Sequence, residues 1–240
     1  MNPKAQLVLI PTPIEESSPL EPVAFKVLLH AFENERERSV FAVEDAKPAR
    51  RRWLRYCLPR EAIEDFVYFN EHTQKELAPQ LVEQMKQGKR VYLMSDAGLP
   101  GFCDPGRNLI DLAHQAKLNV TLTPFANSSL AALVLSGFES GPFVFQGFLP
   151  KKGEAREKAL ELMAQTHSTQ VIMETPYRLG AFLKELGRHK ELQERRLCLA
   201  LDINTPDEQI IRSDARTLER EFAGQKRAFV LVIDQISRSS

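Results

Sequence analysis

RVYLMSDAGLPGFCDPGRNLIDLAHQA, residues Arg90–Ala116, contains a change of register that decides how the chain is built. RVYLM is an apolar, β-rich run, and RNLIDLAHQA has helical periodicity. Between them, SDAGLPGFCDPG (Ser95–Gly106) holds three of the chain's 11 glycines, with two prolines and two aspartates. Strand, tight loop and helix in that order form the repeating unit of a parallel sheet. In open α/β sheets such loops lie where ligands bind. Gly98 and Gly101 lack a Cβ, so they can take positive φ and let a ligand approach the backbone. Asp104-Pro105 reads as a helix start, aspartate as N-cap and proline in the first turn, a cap worth about 1 kcal/mol. The loop matches neither GxGxxG nor GxxxxGK[ST], which excludes the dinucleotide fingerprint and the P-loop. Spacing alone is equally consistent with a capped structural turn and with a ligand loop.

The same alternation extends on both sides. Strand-like runs occupy Gln6–Ile14, Ser39–Asp45, Phe66–Phe69 and Asn119–Phe125, and helical patterns occupy Glu21–Arg36, Pro48–Cys57, Gln74–Gln87 and Pro105–Lys117. The first half therefore reads as a doubly wound, mainly parallel sheet. Beyond it, helix Ser128–Phe138 is followed by FVFQGF, GEAREKALELMAQ, TQVIME and YRLGAFLKELGR, alternating strand and helix. RLCLALDI and RAFVLVIDQI then follow as strands without a long helix between them, which predicts antiparallel pairing and a mixed sheet. The expected fold class is α/β with two domains, residues 1–124 and 125–240.

Composition limits the partners. With 240 residues, 43% hydrophobic and 27% charged, the chain can bury a sizeable core. Lys+Arg and Asp+Glu are equal at 32, so bulk charge attracts no polyanion and only local patches can. Cys57, Cys103 and Cys198 are scattered and the histidines form no pair at ligand spacing, which predicts neither disulfide framework nor metal site. The apolar run in MNPKAQLVLIPTP is too short for a signal-peptide core or a bilayer span, so a cytoplasmic protein without membrane attachment is expected.

Two basic clusters stand out. KPARRRWLRYCLPR (Lys47–Arg60) carries six basic residues interleaved with Trp53 and Tyr56, and Lys151, Lys152 and Arg156 form a second group. Arg51, Arg52, Arg55 and the second group are candidate phosphate contacts to RNA, with the aromatics as stacking partners. The first cluster reads equally as a solvated helix face with Trp53, Leu54 and Cys57 turned inward. No Ser/His/Asp or Cys/His arrangement occurs. The carboxylates at strand ends, Glu44, Asp45 and Glu174, are the candidate bases.

These segments together resemble one family. SDAGLPGFCDPG is similar to the SDAGxPxxxDPG signature of the small-subunit ribosomal RNA cytidine 2′-O-methyltransferases, a branch of the tetrapyrrole (corrin/porphyrin) methylase superfamily. LVLIPTPI resembles its first strand with a TPIGN turn, VEDAKPARR its EDTRxTxxL segment and NEHT its turn before the third helix. PFANSSLAALVLSGF resembles PGPSAxxAALxxSGL, FVFQGFLPKKGEAR resembles FxFxGFLPxKxxxR, and METPYRL resembles ESPHRL. The pattern departs where Glu15-Glu16 follow Ile14, where Phe125-Ala126 replace Gly-Pro, and where DINTPDEQIIRSD stands for RELTKxxE.

The resemblance implies a two-domain homodimer with S-adenosyl-L-methionine in the cleft between domains. Its contacts would be Pro11, Pro13, Asp96, Ala97, Gly98, Pro100, Ser128, Ser129, Met173 and Asp202. It implies catalysis by orientation and electrostatics, with no metal and no covalent nucleophile. Asp45 and Glu174 are then the expected catalytic carboxylates, and RNA the expected acceptor. A small-molecule acceptor such as a tetrapyrrole precursor, and a non-catalytic RNA-binding relative, are the alternatives.

Overall fold

A computed structural model describes residues 6–125 and 127–236. The chain divides into two compact units, Met1–Ala126 and Asn127–Ser240, against an expected division after Pro124.

The first unit carries a five-stranded parallel sheet in the order β3-β2-β4-β1-β5, from strands β1 (Leu7–Ile10), β2 (Ser39–Val43), β3 (Val67–Tyr68), β4 (Arg90–Met94) and β5 (Val120–Leu122). β1 and β4 are central and covered on both faces, which is why they read as continuous apolar runs. Val8, Ile10, Phe41 and Val43 face helices α1 (Pro22–Glu35) and α2 (Ala46–Arg55). Leu7, Leu9, Val40 and Ala42 face α3 (Gln74–Lys86) and α4 (Arg107–Gln115). The chain leaves β1 toward β2 on one face and leaves β4 toward β5 on the other. That reversal makes the carboxyl ends of β1 and β4 a topological switch point, where the loops part and leave a crevice.

Trp53 is buried inside this unit. Its ring lies 5.3 Å from Phe41 and 5.1 Å from Phe66, both edge-on, and its Nε1 donates to the Pro59 carbonyl at 2.8 Å. Such aromatic pairs add about 0.5–1.5 kcal/mol each beyond area burial. Tyr56 is buried as well, so neither aromatic is available as a stacking partner. Leu54 and Cys57, which the solvated-face alternative turned inward with Trp53, are exposed.

The helix after the glycine loop begins at Arg107, with Gly106 at its N-cap and no side-chain cap. This corrects the expected start at Asp104-Pro105. Gly106 sits at φ +138°, and a Cβ there would meet Leu93 Cδ2 at 2.9 Å and the Gly101 amide at 3.0 Å. The loop folds so tightly onto β4 that only glycine fits at the helix start, and Asp104 is left in the loop with its carboxyl free of capping.

The second unit carries a mixed sheet in the order β6-β7-β10-β8-β9. Its strands are β6 (Phe143–Phe148), β7 (Thr169–Glu174), β8 (Leu197–Leu201), β9 (Gln209–Ser213) and β10 (Phe229–Ile233). β6 and β7 are parallel, and the remaining pairs are antiparallel, as the two consecutive strands predict. Helix α5 (Ser128–Ser136) covers one face through Ala132 and Leu133. α6 (Glu154–Gln165), α7 (Leu179–Arg188) and α8 (Ala215–Phe222) cover the other. β9 and α8 went unread in the sequence. Asp214 caps α8, accepting from the Arg216 and Thr217 amides at 3.0 Å each. Among the described residues, no helix is long and apolar enough to cross a membrane, and no group of three or more His, Cys, Asp or Glu could hold a metal ion.

Candidate functional site

In the first unit the switch point is closed by backbone. The Thr12 amide donates to the Gly98 carbonyl at 2.9 Å, and the Gly98 amide returns the bond to the Thr12 carbonyl at 2.9 Å. Gly98 holds φ +91° to do this. Thr12 Oγ1 also donates to the Ser95 carbonyl at 3.0 Å. The expected cofactor segments around Pro11 and Pro13 and around Asp96, Ala97, Gly98 and Pro100 are thereby joined into one structure at the ends of β1 and β4.

Three carboxyls gather beside this bridge. Glu44, just after β2, accepts from the Asp96 amide at 3.0 Å, and Asp96 Oδ1 accepts from the Asp45 amide at 3.3 Å. A Cβ on Gly98 would sit 3.8 Å from Asp104 Oδ2, so Asp104 belongs to the same cluster. Burial, and after it the Glu44 charge, pushes Asp96 up from 3.8 to about 6. The same two causes in the same order push Asp104 up to about 7. Asp104 was expected to cap a helix; it is a half-buried carboxyl at the carboxyl end of the sheet that titrates near 7. Sequence reasoning had no signal for this beyond the DPG that ends the loop.

The raised value has a consequence for stability. An unfolded aspartate ionises near 3.8, whereas folded Asp104 ionises near 7. Below about pH 4 it is neutral in both states and costs nothing. Between pH 4 and 7 the unfolded chain loses the proton first, so folding becomes progressively less favourable, and above pH 7 the cost is complete. The full shift corresponds to roughly 4 kcal/mol, and partial solvation reduces it to about 2 kcal/mol. Asp104→Asn is expected to raise the melting temperature at pH 8 and leave it unchanged at pH 4. Equal melting temperatures of variant and parent at pH 8 would show that folding does not raise the Asp104 pKa.

The basic stripe separates on inspection. Arg52 is buried; its Nη1 donates to the Pro13 carbonyl at 2.7 Å and to Tyr56 Oη at 3.3 Å. It braces the Pro13 turn from beneath, so it is corrected from an RNA contact to a structural residue. Arg51 and Arg55 are exposed, and both pair with Glu16. Asp45 is exposed at the N-terminal end of α2.

The second unit places its candidates differently. Ser129 is 3% exposed, and its Oγ has no hydrogen-bond partner among the described residues. Thr123 Oγ1, at the end of β5 in the first unit, is also without one. Asn127 caps α5, accepting from the Ser129 and Leu130 amides at 3.0 and 3.1 Å, a role the sequence reading missed; Ser128 follows it, half-buried. Met173 is half-buried and packs with the core on the α5 side of the sheet. Asp202 takes φ +46° and pairs with Arg227 at 2.6 Å. Lys151 and Lys152 are exposed before α6, with no acidic partner among the described residues.

Arg156 is 3% exposed and lies within an ion-pair network. It donates to Glu185 Oε2 at 2.9 Å through Nε and to the Pro150 carbonyl at 3.0 Å, and lies 3.8 Å from Glu174 Oε2. Glu174 is also bonded to Arg178. Arg156 is therefore not a surface contact. Glu174 has two guanidinium groups beside its Oε2, and these favour its ionised form and make it poorly placed to accept a proton.

The sequence matches the Tetrapyrrole (Corrin/Porphyrin) Methylases over residues 26–219. The chain belongs to this family. Ribosomal RNA small subunit methyltransferase I of Synechocystis sp. is 30% identical over 229 residues, covering 95% of this chain and 78% of its own length. The proteins of that name from Micromonospora olivasterospora and Bacillus subtilis are 33% and 30% identical, each over 86% of this chain. This tetrapyrrole methylase relative spans 62% and 66% of their respective lengths. Solved structures share the fold. Diphthine synthase superposes with a TM-score of 0.66 at 10% identity, covering 95% of this chain and 89% of its own. Uroporphyrin-III C-methyltransferase from Thermus thermophilus, complexed with S-adenyl homocysteine, superposes with a TM-score of 0.55 at 15% identity, covering 95% and 97%.

Proposed function

We propose that this tetrapyrrole methylase is an S-adenosyl-L-methionine-dependent methyltransferase whose acceptor is a ribose 2′-hydroxyl of small-subunit ribosomal RNA. The observation that carries the reading is the Thr12–Gly98 backbone pair at the switch point, which joins the loops of two central strands where open α/β sheets bind ligands. The residues present fit the cofactor. In the first unit the buried hydroxyl of Thr123 lacks a partner among the described residues, and a buried hydroxyl without a partner costs about 1–3 kcal/mol until something supplies one.

When bound, the cofactor supplies an electrophilic methyl group on a sulfonium. The chain's task is to hold it, to keep water from the crevice and to orient the hydroxyl. Gly98 and Thr12 shape the edge, Arg52 fixes the Pro13 turn, and Asp96 ties the end of β4 to the start of α2. Arg51, Arg55, Lys151 and Lys152 are the exposed cations we assign to phosphate contact. The relatives' names support the ribosomal acceptor.

The test is mass mapping of small-subunit ribosomal RNA from cells lacking the gene. One 2′-O-methyl group present in the parent should be missing and should return when the purified protein and S-adenosylmethionine are added to the subunits. Persistence of every such methyl group in the deletion strain would overturn the reading.

A further inference from the structure

A cavity of about 570 Å³ opens at the carboxyl ends of β2 and β3 in the first unit. Its size lies within the roughly 300–1,000 Å³ of small-molecule sites. It is lined from three directions: by Glu44 and Asp45 after β2, by the Asn70–Gln74 turn after β3, and by Cys103, Asp104 and Arg107 at the loop's exit. Asn70 is already committed, its carboxamide oxygen accepting from the His72 and Thr73 amides at 3.0 and 3.2 Å. Gln74 and Arg107 make no side-chain hydrogen bond or ion pair among the described residues, and Arg107 is exposed at the rim.

A second observation points to a ligand. Ser95, just after β4, is 6% exposed, and its hydroxyl makes no hydrogen bond among the described residues. The Ser95 hydroxyl favours the ionised form of Asp104, the carboxyl that lines the cavity. Amide and guanidinium groups suit a nucleotide's base edge and phosphate.

We propose that this cavity receives the acceptor nucleotide and that Asp104 takes the proton of the hydroxyl being methylated. The inference rests on the methyltransferase reading above. Transfer of a methyl group from a sulfonium to a hydroxyl forms one C–O bond and breaks one C–S bond. The bonding pair stays on sulfur, which becomes a neutral thioether, and one proton is released. Asp104 is the group best placed to receive that proton. Asp96 has its Oδ1 on the Asp45 amide, Glu44 has its Oε2 on the Asp96 amide, and Asp45 is exposed to water. Burial first, and then the charges of Glu44 and Asp96 facing Asp104 from β2 and β4, holds its ionisation near neutrality, where a base is most effective. Glu71 and His72 from the β3–α3 turn pair with each other at 3.4 Å in solvent, and Arg107 is the cation on Asp104's own side.

The experiment uses the whole protein, S-adenosylmethionine and small ribosomal subunits from cells lacking the gene. The rate of Cys103 alkylation by iodoacetamide, read by peptide mass, should fall at least fivefold with saturating subunits in both the parent and Asp104→Asn. Single-turnover methylation by the parent should rise with pH through about 7 and then level. Asp104→Asn should lose about 100-fold or more and show no such step, while binding S-adenosylmethionine within threefold of the parent. If Asp104→Asn lacks a native melting transition, Asp104→Glu takes its place, with a shifted pH midpoint expected. Unchanged Cys103 alkylation overturns the cavity assignment. A variant that keeps the parental rate and pH step overturns the role of Asp104. A parent that methylates no subunit RNA overturns the function proposed above, which separates that failure from the other two.

Discussion

Gly98→Val is expected to weaken S-adenosylmethionine binding by at least about 100-fold, on the order of 3 kcal/mol, in a protein with native circular dichroism. Crowding is not the cause, since a Cβ at this position would find only Asp104 Oδ2, at 3.8 Å. The backbone is the cause. Gly98 holds φ +91°, a conformation that a β-branched residue adopts only at considerable cost. Valine relieves that strain by rotating the loop, and rotation breaks the two 2.9 Å bonds to Thr12 that join the β1 and β4 ends. The sheets and helices are elsewhere and keep their packing. Titration calorimetry gives the answer, with Gly98→Ala expected to fall between the two. A valine variant that binds within threefold of the parent removes this loop from the cofactor site.

Arg156→Ala is expected to destabilise the protein by about 3 kcal/mol without reducing the RNA affinity of the molecules that remain folded. The guanidinium is 3% exposed, serves Glu185, Glu174 and the Pro150 carbonyl together, and lies 5.2 Å from the Phe182 ring centre. Removing it leaves Glu174, 7% exposed, with Arg178 as its remaining partner. A buried charge deprived of a partner costs more than the pair contributed when intact. Urea denaturation measures the loss. Lys151→Glu with Lys152→Glu is the contrast: unchanged denaturation midpoint, weaker RNA binding and a shallower salt dependence. If Arg156→Ala has the parental midpoint and binds RNA poorly, the residue is a phosphate contact after all.

The parts of the molecule that the sequence reveals are those governed by local rules. β1, β2 and β4 sit within the apolar runs read from the sequence, because a strand covered on both faces must be apolar along its whole length. α1 and α3 lie within two residues of their expected limits, because their buried positions recur at helical spacing. β9 escaped because an edge strand whose residues are all at least partly exposed carries little pattern. α8 is short, and its Asp214 cap was the one signal available. The resemblance of the motifs pointed to the loop between β4 and α4 as the cofactor loop, and Gly98 stands at its bridge to Thr12.

Charged side chains were another matter. Arg51 and Arg52 are adjacent in one basic run, yet one reaches Glu16 on the surface and the other lies beneath the Pro13 turn. Lys152 and Arg156 belong to one cluster, and only the second turns inward, to a glutamate 29 positions away. Asp104 reads as a helix cap until Gly106 takes the helix start and Glu44 and Asp96 arrive from other strands. Periodicity, capping and the need for glycine are properties of neighbouring residues, so the sequence alone determines the strands, most helices and the loop. The destination of a long or ionisable side chain depends on partners dozens of residues distant, and only the tertiary structure decides which charges meet water, which meet each other and which carboxyl titrates near neutrality.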